Sequence, residues 1–236
     1  VVIEAGSEDY SIDVQDAYQA ESSPEWFPDP LRSRMRMLGG ASNHWENNTS
    51  PLDPIDFEKR SWVQDSGWPI DFDDLTPFYG SAGQYCGVKN DGYSTNYWAK
   101  MLNKQDLTDN SDILETGIAK ASTPPTRFFA KHGKAIANSD SVTIYTGAYV
   151  VDVEYDADKQ RLTKAFFETK PGLRHAVNAK IFIMCFGGID NARMMLSINE
   201  KYRDQIGNSF DTAGLHKVDD GRVHHMSANG LISRKN

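Results

Sequence analysis

The longest uninterrupted apolar run in the chain, Ile181–Phe186, leads directly into two adjacent glycines, Gly187 and Gly188. A run of strand length, a glycine turn and then a helical pattern is the arrangement that dinucleotide-binding α/β sheets use. We therefore predict a buried strand over 176–186. The helix predicted after it has one face formed by Ala192, Met195, Leu196 and Asn199.

A second buried strand is predicted at the start of the chain, where the β-branched run Val1–Ile3 continues into Glu4, Ala5 and Gly6. Such a run is typical of a central parallel strand that ends in a turn. In dinucleotide-binding sheets an acidic residue at this position hydrogen-bonds a ribose. From Glu4 alone, a purely structural role is the stronger interpretation.

Between these strands the sequence predicts an antiparallel meander. Strand-like runs cover 142–145 continuing through 149–155, and then 163–169, before the strand 176–186. Turn residues separate them at Asp156–Asp158 and at Pro171–Gly172. The fold class is therefore mixed α/β with α+β features.

The remaining elements are fewer. A helix capped by Asp71 or Asp73 and closed by Gly87 is predicted from apolar residues at helical spacing. Residues 7–34 are predicted to be loop with one short helix, and 113–121 to form the helical segment of the stretch 89–138. The apolar positions of the capped helix are Leu75, Phe78, Tyr79 and Ala82.

Charge and hydropathy exclude two classes of partner. The formal net charge of −8 opposes binding to a phosphate backbone, so nucleic acid is not expected as a partner. No apolar stretch approaches the roughly 20 residues of a membrane helix, so no membrane segment is expected in this chain.

Neither the cysteines nor the clustered histidines indicate a metal site. Cys86 and Cys185 each lie in an apolar segment and are predicted to be core thiols, which leaves the cellular compartment open. Three histidines follow Gly207 without a carboxylate–histidine pattern, and a solvated or disordered end is predicted there. They are His216, His224 and His225.

Four segments, taken in order, resemble the glucose–methanol–choline oxidoreductases, particularly the branch with sugar, gluconate and pyranose-type enzymes. They are Val2–Gly6, the run Arg36-Met37-Leu38-Gly39-Gly40-Ala41-Ser42-Asn43-His44-Trp45, the run Asp65–Asp71 with its Gly-Trp-Pro, and Gly187–Leu196. The order and rough spacing agree over most of the chain. The resemblance implies an incomplete Rossmann-like FAD-binding domain with an antiparallel meander and part of a substrate or lid region.

The resemblance also implies individual roles. Glu4 would bind the adenosine ribose, the backbone of Val150 would meet the adenine, and Gly187 and Gly188 would let the cofactor approach closely. The loop beside the pyrophosphate and flavin ring would consist of Gly39, Gly40, Ala41 and Ser42.

His44 has two interpretations. Pyranose-type relatives use a histidine in a similar His-Trp pair to bond the flavin covalently, which suggests the same bond here. A neutral histidine packed behind the ring is the favoured alternative.

The implied organisation places FAD-binding segments at 1–45 and 141–205, a lid and partial substrate region at 46–140, and an unassigned or disordered end at 206–236. The implied reaction is hydride transfer from a CH–OH group of an alcohol or sugar to FAD. The glycine fingerprint and the catalytic base are expected outside this chain, so the chain alone is expected to be inactive.

Other classes remain open. The glycine turns and Glu4 also suit a non-catalytic nucleotide-binding or interaction module, or part of an NAD(P)-dependent dehydrogenase. The latter does not account for the run 36–45 or for the meander. The choice of substrate, and of oxidase or dehydrogenase, remains open from the sequence.

Overall fold

A computed structural model of the chain describes residues 1–20, 29–63, 66–106, 108, 111, 113–114 and 116–202, with the backbone of 216–219 and 222–225. Helices and strands are mixed, as the α/β prediction requires. The chain forms two compact units, the first from 1–41 and 135–236 and the second from 42–134.

The first unit begins with a short parallel strand pair. Strand β1 (Val2–Ile3) pairs with β2 (Ile144–Tyr145), with Val2 opposite Ile144. The prediction of a parallel strand at the start of the chain is confirmed. The prediction that this strand is buried is wrong, because Val1 and Val2 are exposed. Among the described residues, β1 pairs only with β2.

Residues 7–20 are described as loop with one short helix, α1 (Ile12–Gln15), which continues into a 3₁₀ turn over Asp16–Tyr18. This agrees with the predicted loop, of which 21–28 lie outside the described residues.

The antiparallel meander is confirmed for the strands after residue 148, whereas 142–145, predicted as part of its first strand, contains β2 and pairs with β1 instead. Strands β3 (Tyr149–Asp156), β4 (Arg161–Lys170) and β5 (Leu173–Asn178) pair antiparallel in that order. Val153, on β3, packs in the core of this unit. The turn before β5 places Gly172 at a φ of 78°, a backbone conformation that glycine adopts without strain.

Helix α7 (Gly187–Tyr202) follows the double glycine, as predicted. Its buried residues are Ile189, Met194 and Ile198. The four residues predicted to share one face, Ala192, Met195, Leu196 and Asn199, are half-buried, so the most buried positions of the helix are not among them.

The predicted strand 176–186 is wrong beyond Asn178, where the ladder ends. The run after it alternates between the core and solvent: Met184 and Phe186 pack against the core, whereas Ile181 and Ile183 are about 80% exposed. Cys185 shares the exposed side, so its prediction as a core thiol is wrong too. An apolar run of strand length becomes a strand only where a neighbour satisfies its backbone groups.

The second unit consists of short helices with strong local signals. Asp71 caps α3 by accepting a hydrogen bond from the N–H of Asp74, and Gly87 closes α4 in a left-handed conformation, as predicted. The helices are α2 (Pro54–Phe57), α3 (Phe72–Leu75), α4 (Tyr79–Cys86), α5 (Thr95–Leu102) and most of α6 (Phe128–Ala137).

Three sequence predictions are corrected here. The described residues of 113–121 are not helical, because Lys120 pairs its backbone with Thr49. Helices α5 and α6 were missed within 89–138. In the end that was predicted to lack an element, 216–219 (β6) pairs antiparallel with 222–225 (β7), while the rest of 206–236 lies outside the described residues.

Within the described residues, every helix is too short or too polar to cross a lipid bilayer.

Candidate functional site

The candidate site lies at the carboxyl ends of β1 and β2, which meet at one edge because the strands are parallel. The N–H of Glu4 donates to the carbonyl of Tyr145 (2.8 Å), and the N–H of Ala148 donates to the carbonyl of Glu4 (2.9 Å). The N–H of Leu38 donates to the carbonyl of Ser7 (2.9 Å). Three segments distant in sequence therefore meet at this edge, where open α/β sheets bind ligands.

The carboxylate of Glu4 is half-buried and only partly satisfied. Its Oε1 accepts a hydrogen bond from the N–H of Gly6 at 2.6 Å, and no described residue donates to Oε2. Burial raises the pKa of Glu4, against the lowering effects of the Gly6 N–H and of the positive charge of Arg36. A carboxylate with one free oxygen can accept hydrogen bonds from sugar hydroxyls.

Glu4 belongs to what we call the charged cluster: Glu4, Tyr18, Arg34, Arg36 and Asp190. The Arg34 guanidinium lies 4.1 Å from the centre of the Tyr18 ring, and that of Arg36 lies 5.7 Å from it. Burial raises the pKa of Tyr18, and the negative charges of Asp190 and Glu4 raise it further, whereas the two arginines lower it. Both acids therefore act on the same tyrosine.

Asp190 connects the charged cluster to the first turn of α7. Its carboxylate accepts from Nη1 of Arg34 at 2.7 Å and from Nε of Arg193 at 2.9 Å. Through this contact the end of α7 that carries Gly187 and Gly188 is joined to the segment that leads to the double-glycine loop. The structure thus links Glu4, the residues before Gly39 and the start of α7.

Two of the predicted glycines, Gly40 and Gly187, leave room for a close approach by a ligand, as does Gly147, which was not predicted. Gly39 has a φ of 94°, and Gly40, Gly147 and Gly187 have φ values of 53°, 61° and 79°. Such values favour glycine at each position. A Cβ added at Gly40, Gly147 or Gly187 would meet no atom within 4 Å, so open space lies beside each of them. Gly188 is exposed in the first turn of α7.

Val150 lies in β3, just after Ala148, whose N–H donates to the carbonyl of Glu4. Its side chain packs against the core formed by Val153, Met194 and Ile198, and its backbone pairs with Phe167 before an irregularity in the ladder.

The remaining predicted residues lie along a 3₁₀ turn, Gly40–Asn43, and just after it. Ala41 is exposed and ends the first portion of the first unit, whereas Ser42 and His44 belong to the second unit. His44 is exposed. Its neighbour Trp45 is fixed by a hydrogen bond from its indole N–H to the carbonyl of Thr126 at 2.8 Å and by stacking on Phe128.

Sequence reasoning missed four residues of the charged cluster. Arg34 and Arg36 stand just before the double glycine, so an Arg-x-Arg pattern beside a backbone-approach loop was the available signal. Tyr18 and Asp190 gave no local signal. Two clefts of about 410 and 540 Å³ lie in the second unit, and neither contains any of the predicted site residues.

Glu4 gives a pH-dependent prediction. Since its pKa is raised in the folded protein, the folded state binds more protons than the unfolded state between the ordinary and the raised value. The free energy of unfolding therefore falls as pH rises through that window. Glu4→Gln removes this pH-dependent loss of stability. The free energy of unfolding of the variant, measured relative to that of wild type, is therefore expected to increase from acidic to neutral pH.

Urea denaturation at a series of pH values measures the difference. Glu8→Gln, an exposed acid four residues away, is the matched control and should track wild type. The expectation would be contradicted if the free energy of unfolding of Glu4→Gln, relative to that of wild type, decreased as pH rises.

Comparison with protein-family models finds no family that matches this chain, and comparison with curated proteins finds no match either.

Proposed function

We propose that this chain binds FAD, as part of a glucose–methanol–choline-type oxidoreductase that acts on CH–OH groups of alcohols or sugars. The observation that carries the proposal is the meeting of three of the resembling segments at one sheet edge: the strand ending in Glu4, the residues before Gly39, and Asp190 in the first turn of α7. The Rossmann-like fold belongs to the same proposal.

Three of the predicted residues, Glu4, Gly40 and Gly187, then have roles that their surroundings permit. The free oxygen of Glu4 accepts from ribose hydroxyls, and the open sides of Gly40 and Gly187 admit the cofactor close to the backbone. Bound FAD supplies a hydride acceptor for the substrate carbon. No residue of this chain is assigned the proton step.

The proposal is tested by titrating the chain with FAD and following the quenching of flavin fluorescence. Glu4→Gln is expected to weaken FAD binding about tenfold, because hydrogen bonds to a charged group are among the stronger ones. Glu8→Gln should bind as wild type does. NAD is expected to bind less tightly than FAD.

Wild-type protein that binds no FAD, or that prefers NAD, would overturn the proposal. A simpler observation is colour, since protein purified from the full gene should be yellow.

His44 gives a separate prediction about the mode of attachment. The histidine is exposed, and no described residue holds its ring in one orientation, so nothing aligns a ring nitrogen for a bond. Acid precipitation of yellow protein is therefore expected to leave the flavin in the supernatant. A yellow pellet that loses its colour in His44→Ala would show the covalent bond instead.

A further inference from the structure

The cleft of about 540 Å³ in the second unit has aromatic walls. Three rings line it, those of Phe57 at the end of α2, Trp68 in the loop that follows and Phe72 at the start of α3. The centre of the Phe57 ring lies 6.0 Å from that of Trp68 and 6.3 Å from that of Phe72, at interplanar angles of 59° and 81°. Phe57 is not stacked flat on either neighbour, and Trp68 is 56% exposed, so aromatic surface is available to a ligand.

The charged side chains that line this cleft are all acidic: Glu58, Asp71 and Asp74. Among the described residues, no lysine, arginine or histidine lies within ion-pair distance of these three carboxylates. The chain around them is negative as well, since residues 53–74 include seven acidic and two basic residues. Such a cleft repels anions and attracts cations.

Folding uses only part of these carboxylates. Oδ1 of Asp71 accepts from the N–H of Asp74, and Oδ2 of Asp74 accepts from the N–H of Asp71, both at 3.0 Å. No described residue donates a hydrogen bond to the second oxygen of either side chain or to Glu58. An uncharged asparagine caps a helix as well as an aspartate does, so the capping of α3 does not explain why the cleft carries charge.

The frame of the cleft is held by local hydrogen bonds. The N–H of Trp68 donates to the carbonyl of Phe57 at 3.2 Å, which holds the loop against the end of α2. The hydroxyl of Ser66 donates to the carbonyl of Val63 at 2.7 Å within the same loop. A wall that is already in place loses little conformational entropy when a ligand binds.

Aromatic faces beside carboxylates favour an organic ammonium ion over a metal ion. A calcium ion needs about six to eight oxygen ligands, and no group of acidic, histidine or cysteine side chains within the described part of the chain is arranged to hold a metal. A methylated ammonium ion instead gains from both linings, because ring faces attract its charge and its methyl groups pack on them.

We propose that this cleft binds a small organic ammonium ion, with the ring of Trp68 against its methyl groups and with Glu58 and Asp71 supplying the opposite charge. The site lies within the second unit and is separate from the proposed FAD site, so neither proposal depends on the other.

The test titrates the 236-residue chain with tetramethylammonium chloride and follows the indole N–H signals by NMR. The signal of Trp68 is the one that is missing in Trp68→Leu. It is expected to shift and to saturate with a Kd of about 1–10 mM, as suits so small a ligand. tert-Butanol, which has a similar shape and no charge, should bind about tenfold more weakly.

The double variant Glu58→Gln/Asp71→Asn is expected to weaken tetramethylammonium binding about tenfold, because it removes two of the three charges of the cleft. Asparagine still caps α3, and the NMR spectrum of the variant shows directly whether it is folded. Asp73→Asn is the matched control, since Asp73 is an exposed acid of the same helix that does not line the cleft. It should bind as wild type does.

Three results would overturn the proposal. The Trp68 signal could stay unmoved by tetramethylammonium, or tert-butanol could bind as tightly as the cation does. Asp73→Asn could also weaken binding as much as the double variant, in which case the net charge of the chain, and not the cleft, attracts the cation.

Discussion

Replacing Gly6 with alanine is expected to lower the free energy of unfolding by about 3 kcal/mol, the upper part of the range for overpacking. A Cβ at Gly6 would lie closer than 3.0 Å to the carbonyl group of Arg36 and to Cα of Met37. All of these are backbone atoms, so no side chain can rotate away. The backbone must separate instead, which stretches the hydrogen bond from the Leu38 N–H to the Ser7 carbonyl.

Guanidinium denaturation measures the change, with Gly117→Ala as the control. Gly117 is exposed, its φ is not positive, and an added Cβ meets nothing within 4 Å. Its substitution should leave stability unchanged or raise it by up to about 1 kcal/mol through a less flexible unfolded chain. Gly6→Ala with the stability of Gly117→Ala would show that the strand end and the double-glycine segment are not in contact.

The elements that the sequence predicted well are those with a local chemical signal. Asp71 caps α3 with a side-chain bond to an N–H three residues on, and Gly87 takes the left-handed conformation that ends α4. The turn with Gly172 sets the meander. Each signal acts within a few residues, so a single sequence contains it.

Elements decided by distant partners were predicted poorly. The run Ile181–Phe186 has the composition of a buried strand, but its partners are not in its sequence, and one side of it is exposed. Residues 113–121 have helical spacing, yet Lys120 forms two backbone hydrogen bonds with Thr49, 71 residues away. Helix α5 did carry a local signal, the Ser94 cap, which was overlooked.

The candidate site divides in the same way. Glu4 and the glycines could be predicted because an acidic residue after a β-branched run indicates a strand end, and adjacent glycines indicate a left-handed backbone. The contact of Arg34 with Asp190 joins residues 156 positions apart, and nothing near either residue predicts it. The charged cluster can therefore be identified only from the folded structure.

That contact gives the second large prediction. Asp190→Asn is expected to lower the free energy of unfolding by about 3 kcal/mol, because removing one partner leaves a buried charge uncompensated. The side chains of Arg34 and Asp190 are only 17% and 13% exposed. The other two nitrogens of Arg34 are bonded as well, Nε to the Pro30 carbonyl and Nη2 to the Tyr18 carbonyl, so the guanidinium cannot turn toward solvent without breaking these bonds.

Asp156→Asn is the control, since its ion pair with Lys159 is as short, 2.6 Å, but the lysine is 61% exposed. Exposed pairs contribute about 0–1 kcal/mol, so burial rather than distance should separate the two variants in urea denaturation. Because Asp190 also joins the start of α7 to the segment with Arg36, Asp190→Asn should weaken FAD binding as well, and Asp156→Asn should not. Equal losses of stability in the two variants would mean that Arg34 and Asp190 do not form a buried pair, and the link between α7 and the charged cluster would then have no support.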